Sequence, residues 1–140
     1  MKVAIGCDHG GIELKNTLIS VLTELGHDID DQGCNSTDSV DYPDFAKSVS
    51  SLVKEGICQC GILICGTGIG MSMAANRIPG IRAALCNEMF SAKMSREHNN
   101  ANILCLGARV IGPGLAAEIV RTWMKSDFAG GRHQRRIDMF

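Results

Sequence analysis

Two spacings of apolar residues alternate along this chain. Short runs rich in β-branched and small apolar residues predict strands near Val3–Cys7, Asp28–Asp31, Ile62–Cys65, Arg82–Cys86 and Asn102–Leu106. Between them the apolar residues recur at helical spacing. Leu14, Leu18, Leu22 and Leu25 form a stripe that stops at Gly26, and Phe45, Val49, Leu52 and Val53 form another that stops at Gly56. A third helix is predicted to start within Gly66–Gly70 and end before Pro79, and a fourth to span about Glu88–Glu97. A fifth opens at Gly112-Pro113 and carries Leu115, Ile119 and Trp123. Strict alternation of strand and helix implies parallel strands joined by right-handed crossovers, with helices on both faces. The fold class is therefore α/β: a Rossmann-like three-layer α/β/α sandwich with a five-stranded parallel sheet. Ligands of such sheets collect at the carboxyl ends of the strands. The loops to read for chemistry are then Asp8–Gly11, Gly66–Gly70, Asn87 and Gly107–Arg109.

Composition narrows this picture without changing it. At 140 residues the chain is one domain, 1–140, of a size that buries roughly two-thirds of its unfolded surface. No repeat, linker or low-complexity stretch divides it. The 45% hydrophobic and 4% aromatic content, with 16 glycines, suits buried strands and tight strand-to-helix turns. Seven cysteines, an odd number without paired spacing, read as reduced thiols with neither a disulfide nor a zinc framework. The apolar run at the N-terminus is ended by Asp8, too soon for a secretory signal, and nothing approaches the roughly 18 apolar residues of a membrane span. A cytoplasmic protein is expected. A net charge of −1 gives no global field to recruit nucleic acid or membrane. The local exception is the tail, where Arg132, Arg135 and Arg136 crowd together.

The third loop carries the strongest chemical signal. Ile64-Cys65-Gly66-Thr67-Gly68-Ile69-Gly70 runs from a strand through a glycine turn into a helix. The glycines let backbone approach a ligand, and the helix start offers unpaired N–H groups and the positive end of a dipole. Such an anion hole suits a phosphate or the oxyanion of an enediolate, and local sequence leaves both open. Nucleotide fingerprints do not fit: the dinucleotide pattern needs glycine at Met71, and the phosphate loop needs lysine after its last glycine. Cys65 ends the strand at the mouth of this turn, where a thiol ionises more readily than a free one. Cys7, Cys86 and Cys105 lead into no such turn.

Asp8 and His9 sit at the carboxyl end of the first strand, where Asp8 suits a helix cap and His9 a phosphate or proton contact. His98-Asn99-Asn100 follows the fourth helix and precedes the fifth strand, which places it at the amino end of the sheet. A catalytic His98 would therefore have to reach the Cys65 of a second subunit. Otherwise these residues end a helix and turn the chain.

Taken together, Gly6-Cys7-Asp8-His9, Asp41-Tyr42-Pro43, Ile62–Gly70, Ser95-Arg96-Glu97-His98-Asn99, Gly107-Ala108-Arg109-Val110 and Gly130-Gly131-Arg132-His133-Gln134 closely resemble type B ribose-5-phosphate isomerases. The likeness spans essentially the whole chain with its blocks in order. That family also includes allose-6-phosphate and galactose-6-phosphate isomerases. The resemblance implies a cofactor-free, metal-free aldose–ketose isomerase acting on ribose 5-phosphate and ribulose 5-phosphate. It implies a homodimer or dimer of dimers whose sites are shared between subunits, with the tail from about Ser126 contributing to the dimer and to the phosphate site. Its roles carry over as Cys65 the base at C2, and His98 with Asp8 opening the furanose ring. Thr67 shuttles a proton between O1 and O2. Gly66, Gly68 and Gly70 face the enediolate, Tyr42 and Asn99 orient hydroxyls, and His9, Arg109, Arg132 and Arg136 hold the phosphate. One branch of the family places a glutamate base where this chain has Met71, so the presence of Cys65 assigns the cysteine branch.

Two other readings stand beside this one: a hexose-6-phosphate isomerase with a cleft about one carbon longer, and a non-catalytic nucleotide- or sugar-phosphate-binding module. The module explains the fold and glycines but not Cys65, His98 and the arginines occurring together. A thiol redox protein is disfavoured because no Cys-x-x-Cys motif is present.

Overall fold

Each apolar run becomes a strand and each amphipathic segment a helix laid across it. The computed structural model describes residues 1–140, in the order β1 (Lys2–Cys7), α1 (Ile12–Glu24), β2 (Asp28–Asp31), α2 (Tyr42–Lys54), β3 (Cys60–Cys65), α3 (Ile69–Ala75), β4 (Ala83–Leu85), α4 (Met89–Glu97), β5 (Ile103–Gly107), α5 (Pro113–Lys125) and α6 (Arg132–Ile137). All pairings are parallel and the strand order is β2-β1-β3-β5-β4. The three-layer α/β/α sandwich with a five-stranded parallel sheet is present as the alternation predicts. No helix is long and apolar enough to cross a membrane.

The period-2 alternation of the strands sorts the core into two layers. Val3, Ile5, Ile62, Ile64, Leu104 and Leu106 face α1, α4 and α5, where Leu18, Leu22, Ala92, Ile119 and Trp123 meet them. Ala4, Leu63, Cys65, Ile103 and Cys105 face Val49, Met71 and Ala75 of α2 and α3. The chain winds outward in both directions from β1 and β3, so the crevice between their carboxyl ends is the topological switch point. Cys7 is level with Ile64, and Cys65 with Gly107, so the loops after β1, β3 and β5 open at one rim.

Three features differ from the sequence pattern. β4 is only Ala83–Leu85, shorter than the run Arg82–Cys86. On its open edge the Asn76 side chain pairs with both the N–H (2.8 Å) and the carbonyl (2.9 Å) of Ala83, the place a further strand would take. The basic tail forms α6, anchored by the buried Ile137. Lys15, on the apolar face of α1, is fully buried, its ammonium held by both Asp31 carboxylate oxygens at 2.8 Å and by Asn35 Oδ1 at 2.9 Å.

Candidate active site

Strand β3 delivers Cys65 to the rim, and the chain must then reverse into α3 within three residues. Gly68, the N-cap of α3, makes that turn at φ 76°, in the left-handed region that a side chain disfavours. Its N–H points back and donates to Cys65 Sγ at 3.1 Å. Cys65 is 5% exposed and is the one cysteine whose sulfur accepts a backbone N–H. The others are of a different kind. Burial pushes the Cys7 thiol up to about 12 and the Cys60 thiol up to about 11, and raises Cys58, Cys86 and Cys105 as well. Thr67 is exposed beside the turn, and its Oγ1 accepts from Ile69 N at 3.3 Å.

The neighbouring loops close around this turn. Asp8 does not cap α1: Gly11 is the N-cap, and Asp8 Oδ1 instead accepts from Gly10 N at 2.9 Å. That buries the carboxylate at the crevice floor with its second oxygen available. His9 Nδ1 accepts from Val40 N at 3.2 Å, so its Nε2 carries the ring proton and can donate. The Arg109 side chain runs between two glycines. A Cβ built on Gly66 would stand 3.4 Å from Arg109 Nη1, and one on Gly10 would stand 3.5 Å from Nη2. Tyr42 opens α2 with its ring over Gly70, where a Cβ would come within 2.6 Å of the ring. Met71, the position of the alternative glutamate, is wholly buried against the α2 and α3 layer.

The remaining expected residues lie elsewhere. His98 ends α4 and Asn99 follows it, where β5 begins, at the level of Gly61 instead of Cys65. The strand between those levels is about 13 Å long. The tail joins this second group, because Ala129 N donates to Glu97 O at 2.9 Å and the His133 ring stacks on His98 with centroids 4.2 Å apart and planes at 11°. The sequence assigns His133 no role, although it stands in the Gly130–Gln134 block that carries the resemblance. Burial lowers its pKa, and His98, Arg132 and Arg136 lower it further by repulsion. Arg109, Arg132 and Arg136 make no salt bridge.

One rim thus gathers Asp8, His9, Tyr42, Cys65, Gly66, Thr67, Gly68, Gly70 and Arg109, and the opposite one gathers His98, Asn99, Arg132, His133 and Arg136. Each has its own hollow. One of about 400 Å³ lies beside His9, Gly10 and Thr37, and one of about 430 Å³ beside Arg82, Asn99 and Phe140. The first rim can abstract a proton and hold an oxyanion, and the second offers imidazole and two free guanidiniums. Neither holds three or more His, Cys, Asp or Glu side chains grouped as a metal site would group them.

The chain is similar to known proteins along nearly its full length. A family model described as Ribose/Galactose Isomerase matches residues 3–140. Ribose-5-phosphate isomerase B of Escherichia coli (strain K12) is 47% identical over 137 residues, covering 98% of this chain and 92% of that protein. A solved structure of Clostridium thermocellum ribose-5-phosphate isomerase B superposes with a TM-score of 0.98 at 53% identity, covering 99% of this chain and 94% of that one. The structure of ribose-5-phosphate isomerase B from Mycoplasma genitalium with bound ribulose-5-phosphate gives 0.95 at 43% identity, covering 99% and 92%.

Proposed function

This chain belongs to the ribose/galactose isomerase family, and on that premise we propose that it interconverts D-ribose 5-phosphate and D-ribulose 5-phosphate through a cis-enediolate. The observation that carries the reading is the N–H of Gly68 donating to the Cys65 sulfur at the mouth of the glycine turn. That bond holds the sulfur at the mouth of α3, where the start of the helix offers further N–H groups. Cys65 takes the proton from C2 and returns it to C1. The negative charge passing to O1 and O2 meets the first-turn N–H groups of α3, which have no partner within the helix. Thr67, already oriented by Ile69 N, moves the proton between the two oxygens.

The phosphate belongs beside His9 and Arg109. His9 offers Nε2–H because Val40 occupies Nδ1, and Arg109 offers a guanidinium that no carboxylate engages. Ring opening needs a group that serves the ring oxygen and anomeric hydroxyl, and on this reading His98 of a second subunit does so with Asp8. The separation of His98, Asn99, Arg132 and Arg136 from their own Cys65 supports a site shared across a homodimer, or a dimer of dimers. The exposed Ile69, Met73, Met89 and Phe90 near the first rim provide apolar surface for such a contact. Asn99 and Tyr42 then orient the sugar hydroxyls.

A coupled assay comparing ribose 5-phosphate, allose 6-phosphate and galactose 6-phosphate tests the substrate. The highest kcat/KM is expected for ribose 5-phosphate. A higher value for either hexose phosphate reassigns the sugar, and turnover of none leaves a binding module.

A further inference from the structure

Arg96 stands where three stretches of chain meet. It lies in the last turn of α4, two residues before His98. Its Nη1 donates to the Ala101 carbonyl and, at 3.4 Å, to Asn100 Oδ1, while its Nε donates to the Ser126 carbonyl at 3.4 Å. The guanidinium lies over the Trp123 ring at 5.1 Å, and Trp123 Nε1 in turn donates to the buried Ser95 Oγ at 3.2 Å. One planar cation therefore ties the turn after His98 to the chain leaving α5, with a fork that lysine does not have. Asn100 in that turn holds φ 46°, in the left-handed region, and its side-chain oxygen is the one Arg96 meets. Beyond Ser126 the tail is fixed again at Ala129 and then stacks His133 on His98. None of the Arg96 hydrogen bonds reaches the loops around Cys65.

We propose that Arg96 is a positioning residue that pre-assembles His98, Asn99, Arg132 and Arg136 into one rigid arm, and that its effect on turnover is exerted at the Cys65 of a second subunit. This rests on the shared-site reading above. A misplacement of about 1 Å in such a group costs on the order of 10²-fold in rate, so Arg96→Leu loses roughly that much kcat/KM. Arg96→Lys, which keeps a cation near Trp123 without the fork, loses less.

The test pairs differently tagged variants in isolated hetero-oligomers. Arg96→Leu with Cys65→Ala leaves one site with an intact sulfur and an intact arm, and recovers about half the parental kcat at the parental KM. Arg96→Leu with His98→Asn damages both arms and recovers nothing. Cys65→Ala with His98→Asn is the separate check on shared sites, and recovers about half. Recovery in that check but not in the first pair overturns the role of Arg96, as does recovery in the second pair. Failure of the check overturns the shared-site reading and the role of Arg96 with it. If Arg96→Leu does not fold, Arg96→Lys takes its place in each pair: the first pair must again recover about half, and the second no more than half of the activity that Arg96→Lys retains by itself.

Discussion

A sulfur that accepts a backbone N–H differs chemically from one packed among methyl groups, and this chain contains both. At about pH 8 iodoacetamide is expected to modify Cys65 ahead of Cys7 and Cys60, with ribose 5-phosphate protecting it, because alkylation needs a thiolate and burial disfavours it at those two. Cys7 and Cys60, pushed up to about 12 and about 11, stay protonated and buried there. Peptide mass mapping checks this, and labelling of Cys7 or Cys60 ahead of Cys65 would contradict it. Gly70→Ala sets a methyl into the Tyr42 ring and displaces it. KM is expected to rise about tenfold, the worth of one polar contact, with kcat little changed. Cys65 was legible because a strand end and a glycine turn are local features. The Val40 amide on His9, thirty-one residues away in sequence, and the stacking of His133 on His98 were not, because chain packing alone creates them.

Among the elements, those with strong apolar period were read to within a few residues, and those whose placement depends on charge were not. Lys15 interrupts no periodicity, yet α1 turns it inward onto Asp31. Removing one partner of a buried pair strands the other charge. Asp31→Ala is therefore expected to cost about 3 kcal/mol in denaturant unfolding, more than the volume-conserving Lys15→Met. α6 escaped detection because its six residues, Arg-His-Gln-Arg-Arg-Ile, have one apolar anchor and gain stability only by docking. That docking depends on pH. His133 has a folded pKa below the ordinary 6.5, since burial and then His98, Arg132 and Arg136 disfavour its cation. Above 6.5 its contribution to stability is complete, and it is lost as pH falls through the lower folded value, because the unfolded chain binds the proton first. Protection of the Ala129 and His133 amides is expected to fall over that window while sheet amides hold theirs, and His133→Phe should remove the effect.

For the whole molecule, the shared-site proposal rests on the geometry of the sheet. A parallel sheet puts its strand ends at one rim and its helix ends at the other, so a residue after α4 cannot reach the turn after β3 of the same chain. The sequence order of His98 and Cys65 already contained that constraint, whereas the surface on which two copies would meet does not follow from any local pattern. Specific activity is expected to fall on dilution in step with dissociation seen by sedimentation, since on the shared-site proposal a monomer holds only half-sites. A crystal structure with ribulose 5-phosphate bound tests the central claim most directly. The account predicts Cys65 Sγ of one protomer against the C1–C2 bond, with His98 of a second protomer flanking the same sugar. A sulfur turned toward Met71 and out of reach of the sugar, or His98 facing solvent in every protomer, would contradict it.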